Sequence, residues 1–144
     1  MERSLVFIKP DAVVRGLSGT ILGRLEKEGL KLTAARMLKM DQAMAQKHYA
    51  VHAGKPFFSG LVEYITSGPI VAAVFEGEDA VARIRNIMGK TDPAQAEAGT
   101  IRRDFGQNIE QNAIHGSDSV ETADKEIRLF FRESEITTYQ KIQG

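Results

Sequence analysis

Leu5-Val6-Phe7-Ile8-Lys9-Pro10-Asp11 decides the fold: four apolar residues in a row, cut off by a cation, a proline and an acid. A continuous run of this kind, ended by a turn signal, predicts a central strand buried on both faces. It also delivers Lys9 to a rim. From Gly19 to Gly29, Ile21, Leu22 and Leu25 recur at helical spacing with Glu26 and Lys27 outward, and Gly29 is placed to stop the helix in a left-handed cap. Leu30, Leu32 and Ala34 then alternate as in a half-buried strand.

Residues 42 to 53 predict a helix, and after Gly54-Lys55-Pro56 a second helix runs through Leu61, Val62, Tyr64 and Ile65 to Ser67-Gly68. Pro69 to Phe75 predicts another buried strand. Asp79 is placed to open a helix whose stripe is Val81, Ile84, Ile87 and Met88, with Gly89 at its end. Between Gly89 and Asn112 lies a long stretch with few apolar anchors, which inside a compact domain marks a functional or disordered loop. Ala113-Ile114 gives a short last strand, and Val120, Ala123, Ile127, Phe130 and Phe131 stripe a last helix. The order predicts an α+β domain with helices packed on one face of a small sheet, the loop and the strand ends sharing one side.

The 144 residues, 42% of them hydrophobic, fit one domain spanning 1–144 with one core. Lys plus Arg equals Asp plus Glu at 19 each, so no global field draws the chain to nucleic acid or to an anionic membrane. Any anionic ligand has to be held by a local cluster. Cysteine is absent, which excludes disulfides and thiolate chemistry and suits a reducing cytoplasm, the expected location. The start, Met1-Glu2-Arg3-Ser4 and a four-residue apolar run, predicts neither a signal peptide nor a membrane span.

Asn112-Ala-Ile-His115-Gly-Ser-Asp118-Ser carries the densest chemistry. Gly116 permits close approach, Ser117 and Asp118 offer a hydroxyl and a carboxylate, and the Asn112 amide can donate and accept. A nucleophilic imidazole needs one nitrogen free and the other held by an acceptor, and Glu126 on the last helix is a candidate partner, with Ser117 as intermediary. The alternative is a satisfied core histidine. Arg85, off its helix stripe, and Arg102, in the long loop, can point at one anion, with Thr91 adding a hydroxyl; otherwise Arg85 complements the helix dipole and Arg102 is solvated. Attack by His115 on a terminal phosphoryl group would give a labile phosphohistidine, the arginines and a magnesium ion balancing charge.

Other signals are weaker. Gly89-Lys90-Thr91 lacks the earlier glycine of a phosphate-binding P-loop, Ile84 standing there instead. His48 and His52 lie one helical turn apart without a third zinc ligand in register and read as helix-surface residues. Of Phe57 and Phe58, one ring is expected in the core, and the other is either core or a platform for a flat base.

Together these residues resemble the nucleoside diphosphate kinases from end to end. Asn112-x-x-His115-Gly-Ser-Asp-Ser matches the family's active-site signature, and Ile8-Lys9-Pro10-Asp11-Ala12, His48-Tyr49, Lys55-Pro56-Phe57-Phe58, Ser67-Gly68-Pro69, Met88-Gly89-x-Thr91-Asp92-Pro93 and Gly99-Thr100-Ile101-Arg102 agree in order and spacing. The resemblance implies a ferredoxin-like βαββαβ sandwich, a small antiparallel sheet covered by helices. It implies ping-pong transfer of the γ-phosphate of a nucleoside triphosphate, usually ATP, to His115 as a pros-phosphohistidine and then to a nucleoside diphosphate. Carried over by position, Glu126 and Ser117 orient His115, the base stacks on Phe57, Lys9 and Asn112 reach the sugar hydroxyls with Lys9 also near the phosphoryl group, and Arg85, Thr91 and Arg102 hold the phosphates. His52 adds a phosphate contact, and Tyr49 supports the lysine and the phosphoryl group. Magnesium arrives on the nucleotide and needs no protein cage.

One departure concerns assembly. Many hexameric members carry a proline just before Gly-Thr-Ile-Arg, where this chain has Ala98, and the short tail after Tyr139 resembles bacterial members, some of them tetramers. A homo-oligomer is expected, tetramer or hexamer. Two rival readings are an RNA or small-molecule binding module of the same fold and a scaffold without catalysis. Phe7 and Phe75 lie in apolar runs and the net charge is zero, against an RNA-binding sheet, and every catalytic residue is present, against a scaffold.

Overall fold

The computed structural model describes residues 1–142; Gln143 and Gly144, the end of the expected 1–144 domain, lie outside the described residues. Four strands form one antiparallel sheet in the order β2-β3-β1-β4, with β1 at Glu2–Ile8, β2 at Lys31–Leu38, β3 at Ile70–Gly77 and β4 at Ile114–Gly116. The helices are α1 (Pro10–Val14), α2 (Ser18–Lys27), α3 (Gln42–His48), α4 (Phe58–Ile65), α5 (Ala80–Met88), α6 (Ile101–Phe105) and α7 (Val120–Phe130). This is the expected ferredoxin-like βαββαβ pattern, with α3 and α4 set into the connection between β2 and β3.

Helices cover both faces, which corrects the one-face expectation. Val6 and Ile8 of β1 pack with Ile21 and Leu25 of α2 and Ile84 and Met88 of α5, whereas Leu5 and Phe7 pack with Ala45 of α3, Val62 and Ile65 of α4 and Ile127 and Phe130 of α7. The cause lies in the opening run: alternate side chains leave a strand on opposite sides, so an unbroken apolar run needs apolar cover twice. Phe7, fully buried, contributes on the order of 1.5–3 kcal/mol by leaving water.

The helix expected over residues 42 to 53 ends at His48 and passes into a 3-10 turn at Ala50–His52, and the turn signal at Pro10 opens the short α1. Gly29 and Gly89 both take positive φ, at +91° and +86°, ending helices as their positions demanded. Asp79 stands before α5 but in the left-handed region at φ +50°, and its side chain caps nothing. Glu2 does that work, its Oε1 accepting from the Val81 amide at 3.0 Å. The long stretch after Gly89 is not bare loop either. It holds a 3-10 turn at Pro93–Gln95 and α6, where Thr100 caps by accepting from the Arg103 amide and Ile101 is fully buried. The two apolar residues of α6, Ile101 and Phe105, are a single i, i+4 pair, too little periodicity to announce a five-residue helix.

Candidate active site

β4 pairs with β1 so that His115 lies directly across from Phe7, and their rings stack with centroids 4.7 Å apart at 21°. On the same side of the sheet, α7 turns Ala123, Glu126, Ile127 and Phe130 inward. A carboxylate in an apolar stripe is tolerated only when paired. Glu126 is paired: Nε2 of His115 lies 3.0 Å from each of its oxygens, and the Ser117 hydroxyl donates to Oε1 at 2.6 Å. Burial would raise the Glu126 carboxyl, but the hydrogen bond and charge of His115, then Ser117 and His48, hold it below its ordinary range. Ser117 is therefore no intermediary, since the glutamate reaches the imidazole directly and the serine steadies the far side. Among the described residues Nδ1 of His115 makes no hydrogen bond, and this nitrogen is the one available for attack. Gly116 is also closely packed, a Cβ there standing 2.5 Å from Sδ of Met88.

His48 departs from the helix-surface reading. Its side chain is 2% exposed, and Nδ1 lies 3.4 Å from Oε2 of Glu126. Burial first, then His115, pushes its imidazole down to about 3, so it is neutral beside the pair. The missed signal was its place three residues after Ala45, on the one buried stripe of α3.

The cationic side is assembled from the long segment. Arg102 is buried, its Nη1 donating to the Gly89 carbonyl at 3.2 Å and Nη2 to Ile114 at 2.8 Å, so it is not the solvated residue of the alternative reading. Its Nε, also buried, has no partner among the described residues. Burial and neighbouring Arg85 bring Arg102 down to about 10, leaving it charged at neutral pH. Asn112 accepts from Lys9 Nζ at 2.8 Å and donates to the Thr91 carbonyl at 3.0 Å, both as donor and as acceptor. Burial and then Arg102 push Lys9 down to about 8.

A cleft of about 250 Å³ brings His48, Tyr49, His52, Arg85, Thr91, Arg102, His115, Asp118 and Glu126 together. Lys9 and Asn112 join it through Thr91, and Phe57 through His52, whose ring is 5.2 Å from its own. A roomier groove of about 410 Å³ shares Arg85 but holds no imidazole, so chemistry rather than volume marks the site. Phe58 packs on the core while Phe57 stays 51% exposed, so one ring of the pair enters the core and the other does not. Burial, then Glu126 and Glu110, push the Tyr49 hydroxyl up to about 12. Among the described residues it makes no hydrogen bond with Lys9. A second missed group lies beneath: Asp11, with Tyr64, holds the amide of Ala113.

An imidazole fixed by a carboxylate on one nitrogen and open on the other, facing two guanidinium groups, is the arrangement of a phosphotransferase. Residues 2–136 match the family model for nucleoside diphosphate kinase. A nucleoside diphosphate kinase of Dehalococcoides mccartyi is 63% identical over 141 residues, covering 98% of this chain and 99% of that protein. Among solved structures, that of Aquifex aeolicus superposes with a TM-score of 0.92 at 45% identity, covering 94% of this chain and 99% of the other. That of Halobacterium salinarum, in complex with CDP, gives 0.94 at 46% identity, covering 97% and 93%. The chain belongs to the nucleoside diphosphate kinase family. It moves phosphate between nucleotides, and the ping-pong route through a phosphohistidine is the family's general mechanism.

Proposed function

We propose that His115 is the phosphoryl carrier. Its Nδ1 lone pair attacks the γ-phosphorus of a nucleoside triphosphate, usually ATP, as the bond to the β,γ-bridging oxygen breaks and the diphosphate leaves with that electron pair. The ring then carries phosphorus on Nδ1 and a proton on Nε2, so it is cationic, and Glu126 balances it at 3.0 Å. A terminal oxygen of a second nucleoside diphosphate reverses the step. The observation that carries this reading is the grip of Glu126 on Nε2 with Nδ1 left open to the cleft.

The other residues follow from reach and chemistry. Arg85, Thr91 and Arg102 bind phosphate, Arg102 through the N–H groups not committed to backbone. Lys9 and Asn112 meet the sugar, with Lys9 close to the moving phosphoryl group. Phe57 stacks the base through its π-face, which accepts any base. His52 and Tyr49 line the phosphate path. The carboxylates lining the cleft are Glu126, already engaged, and Asp118, too few for a protein cage. Magnesium is the divalent ion proposed; it would arrive on the nucleotide's phosphates and supply charge neutralisation there, Asp118 being the cleft carboxylate not engaged by His115. Residues 1–144 act as one domain in a cytoplasmic homo-oligomer, tetramer or hexamer. Among the described residues no helix is long and apolar enough to cross a membrane.

Incubation with γ-labelled ATP and magnesium tests the carrier. The expected product is an acid-labile, base-stable phosphoprotein that forms without GDP and discharges when GDP is added. His115→Ala abolishes it with the fold intact. Labelling that persists in this variant, or none in active wild-type protein, overturns the assignment.

A further inference from the structure

His48 reaches the nucleophile from a helix to which phosphoryl transfer has given no task. Its ring lies edge-on to His115 at 4.7 Å and 84°, to Phe7 at 5.1 Å and 67°, and to Phe130 at 6.2 Å and 70°. These neighbours come from β4, β1 and α7, so the ring is fixed from three sides. Its Nδ1 lies 3.4 Å from Oε2 of Glu126, beyond ordinary hydrogen-bond length, and has no partner among the described residues. A buried ring nitrogen left in that state is unfavourable, and this one is aimed at a carboxylate. A lone pair facing the oxygen would be repelled, so the tautomer that fits has its proton on Nδ1. The two oxygens of Glu126 are also unequal. Oε1 receives Ser117 as well as His115, whereas Oε2 receives His115 alone.

We propose that His48 is a positioning residue for phosphoryl transfer: its Nδ1–H closes onto Oε2 of Glu126 as His115 takes up charge. The carboxylate, held by Ser117 on one oxygen and His48 on the other, keeps the proton on Nε2 of His115 and leaves Nδ1 free. An orienting group fixes a reactive imidazole only if its own orientation is fixed. The proposal rests on His115 being the nucleophile.

Three variants separate donor from ring. His48→Phe keeps an aromatic ring and loses the donor, His48→Asn keeps an N–H near the Nδ1 position, and His48→Gln places it near Nε2. The His115 tautomer is read by nitrogen-15 NMR in the nucleotide-free enzyme, and phosphorylation by single turnover with magnesium and ATP, alongside ADP affinity. His48→Phe and His48→Gln should move protons onto Nδ1 of His115 and slow phosphorylation roughly tenfold to a hundredfold, the usual loss for the outer partner of an oriented imidazole. ADP affinity should not change, and His48→Asn should stay near wild type. A His48→Phe enzyme with wild-type tautomer and rate, or His48→Asn as slow as His48→Phe, overturns the proposal. Should His48→Phe fail to fold, equal behaviour of the Asn and Gln variants overturns it instead. If the wild type forms no phosphohistidine, the nucleophile assignment fails, while the resting-state tautomer still decides what His48 does.

Discussion

Asp11 holds Ala113 by its amide: Oδ2 accepts that N–H at 3.2 Å, and the alanine sits at φ +76°. Left-handed backbone costs a residue with a Cβ about 1–2 kcal/mol and persists only where neighbours over-determine it. The over-determination is visible, since Oδ1 of Asp11 takes the Tyr64 hydroxyl and the Ala113 carbonyl accepts the Lys9 amide at 2.9 Å. This turn joins Asn112 to the strand bearing His115. Asp11→Ala strands a buried amide and should lower stability by about 1–3 kcal/mol in urea unfolding. A change within about 0.5 kcal/mol, the range of an ordinary surface substitution, would mean other contacts hold the turn.

Phe57→Ala should weaken nucleotide binding by about 1–3 kcal/mol, the value of a base stacked on an aromatic ring. With half the ring in solvent, its unfolding midpoint should barely move. Calorimetric ADP titration beside thermal unfolding separates the two, and an effect mainly on unfolding would return Phe57 to the core.

Lys9 should set an alkaline limb. Its ammonium, at about 8 in the free enzyme, loses its proton as pH rises through that value, and with it the charge beside Asn112. The ratio kcat/KM, which reports the free enzyme, should therefore fall above about pH 8. Arg102, at about 10, stays charged through that limb. A profile flat to pH 9.5 would exclude Lys9 as the titrating group.

His48 should set an acid limb of stability. Folded, it takes a proton only near 3, against 6.5 unfolded, so between these values the unfolded chain binds more protons. Stability therefore falls as pH drops from about 6.5 towards 3, by up to about 1.4 kcal/mol per unit. Glu126, held below its ordinary value of 4.5, adds loss in the same direction once pH falls beneath that value. His48→Asn should flatten stability between pH 6 and 5 and leave the lower loss, as followed by urea unfolding at each pH. An unchanged slope would assign the acid sensitivity to other groups.

How much of this was legible in the sequence depended on where each interaction is made. The β1 run, the helix stripes and the Gly89 stop are local patterns, and they placed β1, α2, α4, α5 and α7 within a few residues, whereas the short α1 and α6 went unannounced and α3 ended at His48 rather than at residue 53. The one-face packing failed because coverage of a sheet is a property of the assembled layers, although the unbroken Leu5–Ile8 run already contained the answer. The cluster around His115 was readable because no helix-face pattern calls for its composition, and the partnership with Glu126 followed from chemical need. His48 was misread because its spacing from Ala45 is one short step of a stripe, which names the buried face of α3 only once α7 and β1 are in place. Asp11 stayed silent because its partner is a backbone amide, and backbone amides leave no trace in residue identity.

The guanidinium of Arg102 spans two carbonyls, one ending α5 and one opening the strand of the nucleophile. With the phosphate role proposed for Arg102, one side chain would be both scaffold and anion receptor, and a phosphate at its remaining N–H groups would meet a fastening of the fold. Occupancy and cohesion would then be linked at that point, with a nucleotide as a temporary clasp between α5 and β4. Between turnovers the seam is held by Arg102 and by the packing of Ile84 and Met88 on β4, and bound nucleotide should raise its resistance to heat and protease.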